Sequence, residues 1–225
     1  MAGFLLIESS TKTCSVGIAV DGQLVEVKEK TSEAYVHAEL LHVFIEEVFR
    51  KAQLDWTDID AVCVAKGPGS YTGLRIGVSA AKGFCYGANK KLLAISTVQC
   101  LANKAIQEHP GYDYYIPMLD ARRMEVYTQV YNGNAEPLED IEALVLNEDA
   151  YSDYRNQGSC LFFGDGSEKF KPFITEDLSQ VETVVPGVSG MVKDCADKFV
   201  RNEFEDVAYF EPLYLKSFVA GKKGS

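Results

Sequence analysis

The densest cluster of chemically suggestive residues is a run of five glycines in residues 65–84, which read AKGPGSYTGLRIGVSAAKGF. Glycine is unfavourable inside a helix or strand, so this density indicates a backbone that does something other residues would prevent. Backbone N–H groups at such a turn could cradle a phosphate. Alternatively, the small residues could let another segment approach closely.

The standard nucleotide-binding motifs do not match this run. A Walker loop has a lysine directly after its last glycine, whereas Gly73 is followed by Leu74 and Arg75. A dinucleotide fingerprint has the spacing G-x-G-x-x-G, and the spacing of Gly67, Gly69 and Gly73 is one residue too long. A looser phosphate role at the start of the following helix and a tight structural turn both remain open.

The same run predicts a helix with one face of small side chains. Gly73, Gly77 and Ala81 are four residues apart, so they share one face of a helix over residues 71–87. A second helix could pack there at short distance. Periodicity alone favours the preceding helix of the same chain, over a helix of another subunit, as the segment that packs on this face.

Other candidate groups are few. Glu8, Ser9 and Ser10 follow the first predicted strand, at the place where actin-like ATPases bind metal and phosphate. Asp120 and Arg122 could form a polar site between two lobes, although a hairpin turn with surface charges is the simpler interpretation. We regard these residues, with Gly67 and Gly69, as a candidate remnant of a nucleotide cleft.

Neither metal chemistry nor a nucleophilic triad is indicated. Of the three histidines, His37 and His42 are five residues apart, not the four that place two ligands on one helix face, and His109 is isolated. The six cysteines are scattered without a C-x-x-C pair, which is typical of reduced, buried thiols in a cytoplasmic protein. We therefore predict no catalytic residues and no metal site.

Composition limits the partners. The chain has 225 residues, 47% of them hydrophobic, and a net charge of −11. No apolar stretch approaches the roughly 18 residues of a membrane span, so a soluble protein is expected. The negative charge disfavours direct nucleic-acid binding, and a partner should hold most of any RNA.

The order of elements predicts an α/β fold with two lobes. Residues 1–100 read as β-β-β-α-β-α-β, with helices over 33–53 and 71–87. This is the topology of the ribonuclease-H-like half of the actin and hexokinase superfamily, although other α/β folds remain open. Residues 101–225 predict a shorter second lobe, which is entered by a helix that starts at Thr97. Two strands separated by residues 120–122, an acidic loop, a strand CLFFG and a helix over 189–202 follow. The last helix and tail could pack back on the first lobe.

Five segments together resemble a known family. LLIESSTKTCSVGIAVDG, KGPGSYTGLRIGVSAAKGFCYG, IST, LDARRMEVY and EPLYLK occur in this order. They resemble the TsaB (YeaZ) family of bacterial threonylcarbamoyladenosine biosynthesis proteins, which is related to the glycoprotease-like (M22) proteins. The resemblance covers nearly the whole chain and implies an actin-like ATPase (ASKHA, ribonuclease-H-like) fold with a shortened second lobe.

The resemblance implies a non-catalytic role in modifying the adenosine next to the anticodon of tRNAs that read codons beginning with A. The chain would be the dimer partner of the catalytic subunit TsaD, with the ATPase TsaE completing the assembly and ATP and metal bound by those partners. In TsaD a histidine pair binds the metal; the corresponding segment here, AISTVQCLANK, has none. A stand-alone phosphotransferase or peptidase is the alternative, and a general interaction module is a third.

The resemblance also implies where partners bind. In the family, the heterodimer with TsaD is similar to the TsaB homodimer, and the first two helices of each subunit form a four-helix bundle. This shifts the expectation for the small-residue face towards another subunit, although Gly77 and Ala81 individually could still point inward. The predicted interface residues on helices 33–53 and 71–87 are His37, Leu41, Phe44, Ile45, Gly73, Gly77, Ala81 and Phe84.

Overall fold

The computed structural model describes residues 2–32, 36–174 and 179–216, and the first part of the chain builds a five-stranded sheet. Its strands are β1 (Gly3–Glu8), β2 (Thr13–Val20), β3 (Gln23–Thr31), β4 (Ala61–Ala65) and β5 (Lys91–Ile95). Their order is β3-β2-β1-β4-β5. The first three pair antiparallel, and β4 and β5 add in parallel. The predicted order β-β-β-α-β-α-β is confirmed.

Two helices cover one face of this sheet: α1 (His37–Ala52) and α2 (Tyr71–Ala88). Each ends at a residue in the left-handed conformation, Gln53 and Asn89 respectively, a common way to terminate a helix. The predicted helix 33–53 thus begins at His37, and residues 33–35 lie outside the described part.

The other face is covered by α3 (Thr97–Glu108) and α5 (Val192–Val200), the latter preceded by a 3₁₀ turn, Val188–Met191. Met191 and Cys195 pack with Phe4 and Leu6 of β1 in one buried cluster. The last helix therefore packs on the first lobe. Its predicted range, 189–202, is divided between the 3₁₀ turn and a shorter α-helix.

The second sheet has six strands in the order β11-β10-β6-β7-β9, with β8 paired to β6. They are β6 (Tyr114–Asp120), β7 (Glu125–Thr128), β8 (Tyr131–Asn132), β9 (Glu142–Val145), β10 (Cys160–Phe163) and β11 (Ser179–Glu182). A single-turn helix, α4 (Ser152–Arg155), lies between β9 and β10. The predicted acidic loop is therefore wrong in part, because it contains β9 and α4.

After α5 the chain returns to the first lobe. Glu205 forms a β-bridge with Leu92 on β5. Residues 211–216, which we call the C-terminal strap, then run from the glycine-rich turn to the β6–β7 hairpin. Leu213 N–H donates to the Lys66 carbonyl oxygen at 2.7 Å, and Lys216 forms an ion pair with Glu125. The strap thus contacts both lobes.

Candidate functional site

The glycine-rich turn between β4 and α2 is closed on one side by the C-terminal strap. Gly67 has a φ of +106°, in the left-handed region that favours glycine. A Cβ atom there would lie 2.7 Å from the Leu213 carbonyl oxygen. The strap therefore occupies the space directly beside the first glycine of the turn.

The segment after β1 closes the other side of the turn. Ser70 N–H donates to the Ser10 carbonyl oxygen at 2.6 Å, and a Cβ atom on Gly69 would lie 2.3 Å from that oxygen. A bound phosphate would need this N–H group, and the carbonyl oxygen beside it would repel an anion. The geometry favours the tight structural turn over the phosphate cradle.

The small-residue face of α2 receives the chain's own first strand and the residues that follow it. A Cβ atom on Gly73 would lie 2.1 Å from the Ser9 carbonyl oxygen, and one on Gly77 would lie 2.2 Å from Ser9 Oγ. Ser9 Oγ also donates to the Gly73 carbonyl oxygen at 2.9 Å. Ala81 is fully buried. The expectation that these three residues receive a helix of another subunit is therefore wrong, because their own chain fills the space.

The predicted interface residues of α1 are also covered within the chain. Leu41, Phe44 and Ile45 belong to the buried cluster under the helix pair. His37 is fully buried, and its Nε2 donates to the Thr11 carbonyl oxygen at 2.7 Å. Burial lowers the pKa of His37, opposed by this hydrogen bond. These four residues position α1 on the sheet and are not available at the surface, so their assignment to an interface is corrected.

A different face of the helix pair is open. His42 is exposed and meets Phe84, the eighth predicted interface residue, with ring centroids 5.7 Å apart. On α2, Ile76 and Ala80 are half-buried. Gly83 is exposed, and a Cβ atom there would have no neighbour within 4 Å. We call His42, Ile76, Ala80 and Gly83 the outer helix face.

Sequence reasoning missed this face because α2 has small residues on two sides. Leu74, Val78 and Cys85 are buried with Gly77 and Ala81, and large apolar residues at this spacing mark the side that faces a core. That signal, present in the sequence, assigns Gly77 to the inner side and Gly83 to the outer side.

Glu8 is a fully buried carboxyl group at the end of β1. Its Oε1 accepts the Ser10 N–H at 2.6 Å, while Oε2 has no hydrogen-bond partner among the described residues. Burial raises the pKa of Glu8 from 4.5 to about 7; hydrogen bonds from Ser10 oppose the shift and the charge of Glu29 adds to it. A carboxyl group with this pKa is protonated in roughly half of the molecules at pH 7, whereas an ordinary glutamate is ionised.

Asp120 and Arg122 lie in the tight hairpin turn between β6 and β7. Asp120 Oδ1 accepts the Arg122 N–H at 2.6 Å and pairs with Lys169 Nζ at 2.5 Å. The contacts of both residues are therefore within the second lobe, whereas Gly69 meets Ser10 and Gly67 meets Leu213 of the strap. The hairpin interpretation is favoured over a joint polar site.

The residues at the end of β1 do not fit the metal and nucleotide of an actin-like ATPase. Glu8 Oε1 already accepts a hydrogen bond from the Ser10 N–H. The glycine turn, where a phosphate would bind, is closed by Ser10 and Leu213. Among the residues that the structure describes, no three His, Cys, Asp or Glu side chains are grouped to hold a metal ion.

The cysteines are free and buried, as predicted: Cys14, Cys63, Cys85, Cys100, Cys160 and Cys195. Burial raises the pKa of the Cys14 and Cys85 thiols to about 11. Thiols in such surroundings are poor nucleophiles. Within the described ranges, no helix is both long and apolar enough to cross a membrane.

Comparisons with known proteins identify the class of protein that this fold defines. The family model for TsaD, tRNA N6-adenosine threonylcarbamoyltransferase, matches residues 30–217. The YeaZ structure from Pseudomonas aeruginosa superimposes with a TM-score of 0.80 at 22% identity, covering 96% of this chain and 100% of that chain. A second Pseudomonas aeruginosa structure, described as similar to peptidase YeaZ, gives 0.82 at 21%, with the same coverage. The class is an actin-like α/β protein related to the threonylcarbamoyltransferases.

Sequence relatives narrow the class. The tRNA threonylcarbamoyladenosine biosynthesis protein TsaB of Escherichia coli is 27% identical, over 97% of this chain and 96% of its own length. TsaB of Bacillus subtilis is 35% identical, over 71% of this chain and 70% of its own length. The chain belongs to the TsaD family and, within it, to the TsaB (YeaZ) proteins.

Proposed function

We propose that this chain is a non-catalytic subunit required for N6-threonylcarbamoylation of the adenosine next to the anticodon in tRNAs that read codons beginning with A. The observation that carries the proposal is the similarity to a tRNA threonylcarbamoyladenosine biosynthesis protein along 97% of the chain. The cytoplasm, where tRNA is modified, is then its place of action.

The closed glycine turn supports a scaffold over an enzyme. Ser70 N–H is used by Ser10, and Leu213 fills the space beside Gly67, so the turn is built to hold its own chain together. We infer that no cofactor is bound tightly here and that ATP and metal belong to partner subunits. The alternative, a stand-alone phosphotransferase or peptidase, would need reactive groups that these contacts do not provide.

The partners of the proposed subunit are TsaD-type and TsaE-type proteins, with a homodimer when the chain is alone. The outer helix face suits the TsaD-type contact, because Ile76 and Ala80 are small or apolar and Gly83 leaves open space. Two helices approach most closely where side chains are small. The predicted interface helices are thus retained, with a different set of contact residues.

The experiment is size-exclusion chromatography of the full chain with its TsaD-type partner, comparing wild type with Gly83→Arg. Arginine replaces a helical glycine at a site with free space, so the variant should fold at least as stably as wild type. It should fail to form the complex. The matched control is Val200→Arg, at a 78% exposed position at the end of α5, which should leave the complex intact.

A second readout tests the function itself. Wild-type protein added to the TsaD-type and TsaE-type subunits with threonylcarbamoyl-adenylate should switch on tRNA modification, and Gly83→Arg should not. ATPase or peptidase turnover by the purified chain alone, lost in Glu8→Gln, would contradict the proposal in favour of the enzyme alternative. Normal modification in the absence of this chain would contradict it as well.

A further inference from the structure

The turn between β6 and β7 presents two adjacent arginines in an unusual backbone conformation. Arg122 has a φ of +71° and Arg123 a φ of +51°, the left-handed region that L side chains adopt at a cost. Hairpin turns of this kind favour glycine or asparagine at such positions. We call these two residues the arginine tip. The chain places long cationic side chains where the backbone alone would favour the smallest residues.

The two carboxylates of the hairpin itself are paired with lysines from other segments. Asp120 pairs with Lys169 at 2.5 Å, and Glu125 pairs with Lys216 of the strap. Lys169 Nζ also donates to the Glu125 carbonyl oxygen at 3.1 Å. The acidic groups of the hairpin are therefore occupied without the arginines.

The side chains of the arginine tip are consequently available to solvent. Arg122 and Arg123 are both exposed, as is Met124 after them. Within the described ranges no carboxylate lies in ion-pair distance of either guanidinium group. In a chain with a net charge of −11, an uncompensated pair of this kind is a local reversal of sign, and such a patch attracts anions.

The hairpin of the arginine tip is connected by the strap to α2, the helix that carries most of the outer helix face. The strap joins the hairpin to the first turn of α2, because Tyr214 packs on Tyr71 with ring centroids 5.1 Å apart. Arg75 lies over the Tyr71 ring at 4.2 Å. The strap thus contacts both the hairpin and the beginning of α2.

We propose that the arginine tip contacts the phosphate backbone of the tRNA when the chain is assembled with its partner; this rests on the proposed function. The planar guanidinium group matches a phosphate in a bidentate geometry. Contacts of this kind position an RNA without reading its sequence. The rest of the acidic surface repels RNA, so the arginine tip fixes which edge of this subunit faces it.

The test measures tRNA affinity of the complex with its TsaD-type partner, by fluorescence anisotropy of a labelled substrate tRNA at several salt concentrations. Arg122→Gly/Arg123→Gly removes both charges and suits the left-handed backbone, so it should fold. Arg122→Lys/Arg123→Lys keeps the charges. The control Lys193→Gln/Arg201→Gln removes two charges from α5 and its C-terminus, where both are exposed.

Each lost phosphate contact lowers the slope of log affinity against log salt by about 0.8. Between about 50 and 200 mM salt, the affinity of wild type should therefore fall about ninefold more than that of the glycine variant. The lysine variant and the α5 control should retain most of the wild-type slope.

An unchanged slope in the glycine variant, or an equal loss in the α5 control, overturns the inference. If the glycine variant of the complex binds tRNA normally but no longer binds ATP, the inference is overturned in favour of a nucleotide phosphate as the ligand. Size-exclusion of each variant complex is run first. If even the wild-type chain forms no complex, the proposed function fails and the inference with it; a normal complex with an unchanged slope refutes the arginine tip alone.

Discussion

Burial of Glu8 should make the stability of this protein fall as the pH rises from about 4.5 to about 7. The pKa of Glu8 is raised from 4.5 to about 7 in the folded chain. The folded state therefore binds more protons than the unfolded state between these two values, and stability is lost across this interval as pH increases. Below pH 4.5 no ionisation penalty is present, and above about pH 7 the full penalty is present.

The size of the effect follows from the shift. A difference of about 2.5 units at 1.36 kcal/mol per unit corresponds to about 3 kcal/mol. Glu8→Gln replaces the carboxylic acid with a neutral amide of nearly the same shape, which keeps one carbonyl acceptor and cannot ionise. The variant should match wild type near pH 4.5 and exceed its free energy of unfolding by about 3 kcal/mol at about pH 8.

Urea denaturation of both proteins across this pH range is the assay, because the linear extrapolation gives the free energy of unfolding at each pH. Glu46→Gln, at an exposed position on α1, is the matched control for the same chemical replacement and should change the free energy of unfolding only slightly. A constant difference between Glu8→Gln and wild type from about pH 5 to 8 would refute the reasoning. So would a variant that is less stable throughout.

Two further predictions concern glycines and thiols. Gly77→Ala places a Cβ atom 2.2 Å from Ser9 Oγ and should destabilise the fold by about 1–3 kcal/mol. Gly83→Ala, in open space, should stabilise it by about 0.5–1 kcal/mol. If thermal melts shift the melting temperature of both variants in the same direction, the two-sided description of α2 is contradicted. The six buried thiols should react with a disulfide reagent only after unfolding. Rapid reaction of the native protein in a kinetic assay would show that one of them is accessible.

The first lobe was predictable because its pattern is local. The apolar strand β1, the Asp21–Gly22 turn and the amphipathic α1 each follow from residues close in sequence. The strands β9 and β11 were not predicted, since each has only four residues and reads EALV or SQVE without a clear alternation. Pairing with neighbouring strands in the second sheet stabilises them instead.

The candidate site shows a different limit. Spacing correctly predicts that α2 has a row of small residues, but the residue that packs on Gly73 and Gly77, Ser9, is 64 positions away from Gly73. Spacing alone gives no information on which segment comes there. Likewise, nothing in the letters ARRM predicts two consecutive left-handed arginines, because that conformation is imposed by the strands on either side.

The C-terminal strap has a consequence for motion. Two-lobed proteins commonly respond to ligands by rotation of one lobe against the other about a hinge. Here residues 211–216 hydrogen-bond to the loop after β4 and form an ion pair with the β6–β7 hairpin, so such a rotation would have to break both contacts. We expect the interlobe angle to stay nearly constant, which gives the molecule a fixed shape for its partners to recognise.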